Sequence, residues 1–125
     1  MRLLLDTQVF VWVIQDSERL SQAAREAILG ASEVYVSAAS IWEIAIKARL
    51  GKIDADPGRM IQAIAESGFA PLPITAVHAA FVAQLPDHHK DPFDRLLVAQ
   101  AWTEPLRLLS SDPLVAQYTN LVIKI

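Results

Sequence analysis

Short runs of consecutive apolar residues alternate with helix-forming stretches along the whole chain, and that alternation leaves few folds open. Leu3-Leu4-Leu5, Val34-Tyr35-Val36, Leu106 to Leu109 and Leu121-Val122-Ile123 are the clearest runs; a weaker one, Phe69 to Ile74, is interrupted by two prolines. A strand apolar at every position must be covered on both faces, which argues for a parallel sheet between helical layers. The intervening stretches carry helix punctuation. A short helix is expected over Thr7–Ile14, and another from Ser21 to Gly30. Ser37 suits the N-cap of a helix from Ala38 to about Leu50, closed by Gly51, with Ile41, Trp42, Ile44, Ala45 and Ala48 inward. Further helices are expected over Pro57–Glu66, from Thr75 to Leu85, and from Asp91-Pro92 through Trp102, since proline is preorganised for the first helical position. Ser110-Ser111-Asp112-Pro113 turns into a last short helix. No linker, repeat or low-complexity segment divides the 125 residues, so one α/β domain, residues 1–125, is predicted.

The hydrophobic share of 53% and the mean hydropathy of +0.29 are high. An oligomeric interface and a helical domain rich in alanine account for them equally well. Without cysteine there is no disulfide framework and no thiolate site, as expected in a reducing cytoplasm. Nowhere do about 18 apolar residues run together, and the first residues are too short an apolar run for a secretory signal, so no membrane association is expected. A net charge of −3 argues against purely charge-driven nucleic-acid binding. It leaves room for carboxylates that recruit a cation.

In open parallel sheets, ligands bind beyond the carboxyl ends of the strands. Asp6 follows the first predicted strand and Asp112 the strand at Leu106–Leu109; Asp91 and Asp94 open a helix, and Glu43 lies in the helix after the second strand. Each has an ordinary structural role available. Asp6, Asp91 and Asp112 fall at N-caps, Asp94 in an acidic first turn, and Glu43 four residues before Lys47. Capping does not require an anion at every turn, however, because serine, threonine or asparagine serves as well. Several carboxylates at one sheet edge repel one another unless a counter-charge is present, and hard oxygen donors suit Mg²⁺ or Mn²⁺.

Four blocks, Leu4-Leu5-Asp6-Thr7, Ser37 to Lys47 (SAASIWEIAIK), Asp91 to Ala101 (DPFDRLLVAQA) and Ser110-Ser111-Asp112, resemble the PIN domain, and more narrowly its VapC-like branch of type II toxin–antitoxin toxins. The resemblance spans essentially the whole chain, in order. It implies a three-layer α/β/α fold with a central five-stranded parallel sheet. It also implies a Mg²⁺- or Mn²⁺-dependent endoribonuclease whose metal is held by Asp6, Glu43, Asp94 and Asp112. By the same resemblance Asp91 is a cap or supporting neighbour, and Thr7 and Ser110 are supporting hydroxyls. The partners it implies are an RNA substrate, a second copy in a homodimer, and a cognate antitoxin that silences the groove. Gln8 departs from the pattern, since similar sequences often have histidine there.

Lys47, Arg49, Lys52, Lys90 and Arg95 could flank such a groove, Lys47 and Arg95 being candidates for phosphate contact; a solvated helix face is the alternative for each. His88 and His89 are adjacent, poor spacing for joint chelation, and are expected as solvated loop residues with a substrate contact left open. His78 is expected at the surface or core edge, and Trp12, Trp42 and Trp102 in the core or an interface. Two other classes compete with a nuclease. A non-catalytic RNA- or protein-binding module of the same fold would lack carboxylates at these positions. A doubly wound phosphatase or receiver would need a second acidic residue next to or near the first-strand aspartate, or a late lysine on a strand end; Asp6-Thr7-Gln8 does not supply the former.

Overall fold

The computed structural model describes residues 1–125. Five strands, β1 (Arg2–Leu5), β2 (Glu33–Ser37), β3 (Ala70–Leu72), β4 (Arg107–Ser110) and β5 (Val122–Lys124), pair in parallel in the order β3-β2-β1-β4-β5. Helices α1 (Thr7–Ile14), α2 (Gln22–Gly30), α3 (Ala38–Arg49), α4 (Pro57–Glu66), α5 (Ala76–Phe81), α6 (Pro92–Thr103) and α7 (Pro113–Ala116) fill the connections. The three-layer α/β/α architecture expected from the sequence is present.

Period-two alternation of the strands divides the core. Leu3, Leu5, Val34, Val36 and Leu109 face one layer, where they meet Val9 and Phe10 of α1, Ala24 of α2 and Met60 and Ile64 of α4. Leu4 and Leu108 face the other, against Leu97, Val98 and Ala101 of α6 and Val115 of α7. Helix α3 reaches both layers, through Ile44 on one side and Ala39 on the other. The apolar strands are therefore continuous because each supplies both layers.

Some elements are shorter than the sequence pattern suggests. β3 keeps only three residues, flanked and interrupted by Pro71 and Pro73; as an edge strand it tolerates a residue with no N–H to donate. The helix after Thr75 stops at Phe81 and continues only as a 3₁₀ turn, Val82–Gln84. Gly51 and Gly68 end α3 and α4 with positive φ (72° and 76°), a conformation costly for any residue with a Cβ. Trp42 departs from expectation: it is 57% exposed. The stripe that α3 buries is Ala39, Ser40, Glu43 and Ile44, which turns Trp42 outward, against the edge of Phe93.

The chain builds the sheet outward from β1 through β2 to β3, then returns to the other side of β1 to lay down β4 and β5. The order reverses between β1 and β4, and the chain leaves these two central strands in opposite directions. A crevice at their carboxyl ends follows from the topology.

Candidate functional site

Asp6 and Asp112 are the first acidic residues beyond β1 and β4, on either side of that reversal. Asp6 stays tied to the sheet, its N–H donating to Leu109 O at 3.1 Å, and caps α1 by accepting from Val9 N–H at 2.8 Å through Oδ1. Asp112 caps α7 in the same way, accepting from Leu114 N–H at 2.8 Å through Oδ1, while its own N–H donates to Ser110 Oγ at 3.1 Å. Asp91 caps α6, accepting from Phe93 and Asp94 N–H groups at 2.8 and 3.1 Å. The capping roles anticipated from the sequence are all real. They occupy one oxygen of each capping carboxylate.

Asp94, one turn into α6, and Glu43, mid-way along α3, complete the set. All five carboxylates line a single groove of about 740 Å³ with Thr7, Gln8, Lys47, Lys52 and Ser111. Glu43 is 5% exposed. Its Oε2 pairs with Lys47 Nζ at 2.7 Å, but its Oε1 is buried without any hydrogen-bond partner. Lys47 is held protonated, its pKa raised first by that hydrogen bond and then by the charges of Glu43, Asp91 and Asp94. No lysine or arginine pairs with Asp6, Asp94 or Asp112.

The electrostatics record this crowding. The Asp6 carboxyl is pushed up to about 6, mainly by burial, with the Glu43 and Asp112 charges adding to it and hydrogen bonds from Ser110 and Val9 opposing it. Asp94 is pushed up to about 7, again by burial first, then by Asp91, Asp6 and Glu43, with His89 opposing. Like charges are thus in electrostatic range of one another, in a partly desolvated groove where one lysine, Lys47, pairs with a carboxylate. The buried, unpartnered Glu43 oxygen and the hard-oxygen donor set fit a divalent cation. Asp6, Glu43, Asp94 and Asp112 are the residues that could hold it.

Several sequence expectations need correction. Arg95 does not line the groove. Its guanidinium is spent inside the fold, donating to the carbonyls of Pro86 (2.9 Å), Val82 (3.2 Å) and Leu85 (3.4 Å) and to Tyr118 Oη (3.0 Å). Arg49 and Lys90 are exposed and do not line the groove, whereas Lys47 and Lys52 do. Thr7 sits at the site but donates its hydroxyl to Ser40 Oγ at 3.0 Å, and Ser110 is wholly buried beneath it. His88 is exposed as expected, but His89 is not a free loop residue: its Nε2 lies 3.0 Å from Asp112 Oδ2 and 3.1 Å from Asp94 Oδ2. His78 is buried at 2% exposure, not at the surface. His89, which bonds two groove carboxylates, and Arg19, which lines the groove, are site residues that local pattern did not reveal, because a loop direction and a groove rim have no periodicity to betray them.

Fold and site together define an α/β domain with an acidic crevice at its topological switch point, and the comparisons give that class its name. The chain belongs to the PIN-domain family, whose sequence model matches residues 3–120. It is 38% identical over 112 residues, 87% of this chain and 85% of the other, to Ribonuclease VapC22 of Mycobacterium tuberculosis (strain ATCC 25618 / H37Rv). Among solved structures it resembles VapBC2 from Rickettsia felis bound to a promoter DNA fragment (TM-score 0.72, 14% identity, 100% of this chain and 99% of that one). It also resembles a toxin–antitoxin complex from Klebsiella pneumoniae (TM-score 0.69, 19% identity, 98% and 99%) and FitAB bound to a DNA fragment (0.65, 24%, 98% and 94%). At those identities the structural likeness is one of fold.

Proposed function

We propose that this protein is a Mg²⁺- or Mn²⁺-dependent endoribonuclease, the toxin of a type II toxin–antitoxin pair, acting in the cytoplasm and held inactive by a cognate antitoxin. The observation that carries this reading is the convergence of Asp6, Glu43, Asp94 and Asp112, from four separate segments, on one groove where a single lysine pairs with only one of them. The 38% identity to a ribonuclease supports the reaction class. When bound, a divalent ion supplies charge neutralisation at a phosphodiester and acidifies a water to the nucleophile.

The chain's own residues do the rest. Asp6 and Asp112 are held rigidly because each is also a helix cap, so their carboxylates are presented without a conformational search. Glu43 offers a buried oxygen with no competing hydrogen bond. Lys47 and Lys52 on the rim give RNA phosphates a cationic contact in a chain that is otherwise net negative. Ser110 and Thr7 brace the floor, and Asp91 sets the first turn from which Asp94 projects. A homodimer is supported by Trp42, Ile46 and Leu50, exposed at 57%, 40% and 62% and spaced four apart along α3 and its C-cap.

The test pairs cleavage of a defined RNA with isothermal titration of Mn²⁺ into the purified protein. Wild type is expected to bind Mn²⁺ and lose cleavage in EDTA, and Asp6→Asn to lose cleavage and relieve growth arrest on expression. Undiminished cleavage in EDTA overturns the metal assignment. A folded wild type that binds RNA without cutting it, and takes up no Mn²⁺, would instead mark a non-catalytic binding module.

A further inference from the structure

His89 belongs to no acidic motif yet bonds two of the carboxylates that line the groove, and every atom through which it can bond is in use. Its ring Nδ1 accepts from the backbone N–H of Asp91 at 3.2 Å. That donor leaves Nε2 as the nitrogen carrying the proton. Nε2–H donates to Asp112 Oδ2 at 3.0 Å and stands 3.1 Å from Asp94 Oδ2, the three atoms all lying within 4.8 Å of one another. Asp112 arrives from the end of β4 and Asp94 from α6, and His89 is the side chain that bonds both.

The loop carrying His89 is clamped from behind. His89 N–H donates to Tyr118 Oη at 2.8 Å, and Tyr118 Oη donates back to His89 O at 3.2 Å. The remaining lone pair of that hydroxyl accepts from Arg95 Nη1, at 3.0 Å. A phenol has one proton to give and two bonds to accept, so Tyr118 is saturated. Arg95 simultaneously pins Pro86, Val82 and Leu85 by their carbonyls. A loop with this many ties does not present its imidazole by accident.

We propose that His89 is a positioning residue of the acidic site, an N–H bridge that holds Asp94 and Asp112 together for a divalent ion, and that Arg95 and Tyr118 serve to aim it. This assignment rests on the metal-site reading given above. A ligand role is disfavoured by geometry: to bind through Nε2, the ring would move its proton to Nδ1, where the Asp91 N–H already points. Donor would then face donor.

The experiment titrates Mn²⁺ into the full-length wild type and into His89→Ala, His89→Gln and Tyr118→Phe, with circular dichroism melts on each. Pulsed EPR of bound Mn²⁺ reports whether nitrogen is directly attached. The expected result is no directly bonded nitrogen in wild type and about tenfold weaker Mn²⁺ binding in His89→Ala, the scale usual for groups that orient ligands. His89→Gln, which keeps an N–H donor, recovers part of the loss; Tyr118→Phe loses about 2–5-fold, as for one hydrogen bond removed behind the site. A nitrogen coupling of bonded strength would make His89 a ligand and overturn the assignment. Unchanged Mn²⁺ affinity in whichever of these variants folds overturns it equally, leaving His89 a loop staple. Absence of Mn²⁺ binding by wild type itself removes the metal site and this assignment together, and is distinguishable because no variant is needed to see it.

Discussion

Two histidines in this molecule are bonded alike and placed in opposite circumstances. His78, on α5, accepts a backbone N–H (Thr75, 3.0 Å) at Nδ1 and meets a carboxylate, Glu104, at Nε2. His89 accepts a backbone N–H (Asp91, 3.2 Å) at Nδ1 and meets carboxylates at Nε2 as well. The difference is in the count and in the surroundings. His78 is buried against one carboxylate, with Gln100 beside it, and joins the packed pair α5 and α6. His89 faces two of the carboxylates that line a groove holding four more. One imidazole donates to a single glutamate whose side chain is 33% exposed to water; in the groove it donates among six carboxylates and leaves their negative charge unmet. A structural staple and a functional site can thus share the same bonding, and what separates them is whether charge is left over.

The sharpest way to break that comparison is to remove a carboxylate from each side. Asp6→Asn is expected to reduce RNA cleavage by about 10³-fold or more, in line with the loss of an electrostatic group acting on the reacting centre. Glu104→Gln is expected to leave kcat/KM within about twofold, because Glu104 lies outside the groove. Comparable losses in the two variants would mean that the groove carboxylates have no special place in the chemistry.

A second contrast concerns stability. His78→Ala removes the partner of Thr75 N–H, of Glu104 and of Gln100 in a buried setting, at an expected cost of about 2–4 kcal/mol in urea unfolding. His89→Ala, in a half-exposed loop, is expected to cost about 1 kcal/mol or less, because relief of the buried pairing is limited and water can reach the freed oxygens. If the two costs come out equal, His89 is as structural as His78.

The sequence made the outline of this molecule legible, and its failures are informative. Sheet, helix order and capping carboxylates follow from local rules: apolar runs, serine and aspartate at helix starts, glycine at the ends of α3 and α4. The motif blocks that resemble the PIN domain brought Asp6, Glu43, Asp94 and Asp112 forward together. What failed depended on distant partners. Periodicity expected Trp42 inward on α3, but the fold spends that helix's buried stripe on Glu43, because the groove lies on that side. Arg95 has the chemistry of a phosphate contact, and only coordinates show its donors consumed by carbonyls of the preceding loop. His89 takes its direction from Tyr118 and Asp112, 29 and 23 residues away, so no local spacing could indicate it.

The charge left over in the groove should also be measurable as a modest stability cost without metal, the most direct of these effects. Asp6 and Asp94 ionise in the folded protein only near pH 6 and 7, against 3.8 for the unperturbed group. Between those limits the native state binds more protons than the unfolded chain, so stability contributed by these two groups is greatest below about pH 4 and is lost as pH rises towards 7. Other carboxylates titrate over the same range, and the difference between wild type and Asp94→Asn isolates the term of interest. Metal-free Asp94→Asn is expected to match wild type near pH 4 and to exceed it by about 1–2 kcal/mol at pH 7.5, about 4–8 °C in Tm for a domain of this size. Adding Mn²⁺ should reverse the order, since wild type gains by binding what the variant no longer holds. Equal melting temperatures at both pH values, with and without Mn²⁺, would show that the carboxylates in the groove impose no net electrostatic cost and that the cations lining it, Lys47 among them, already balance them.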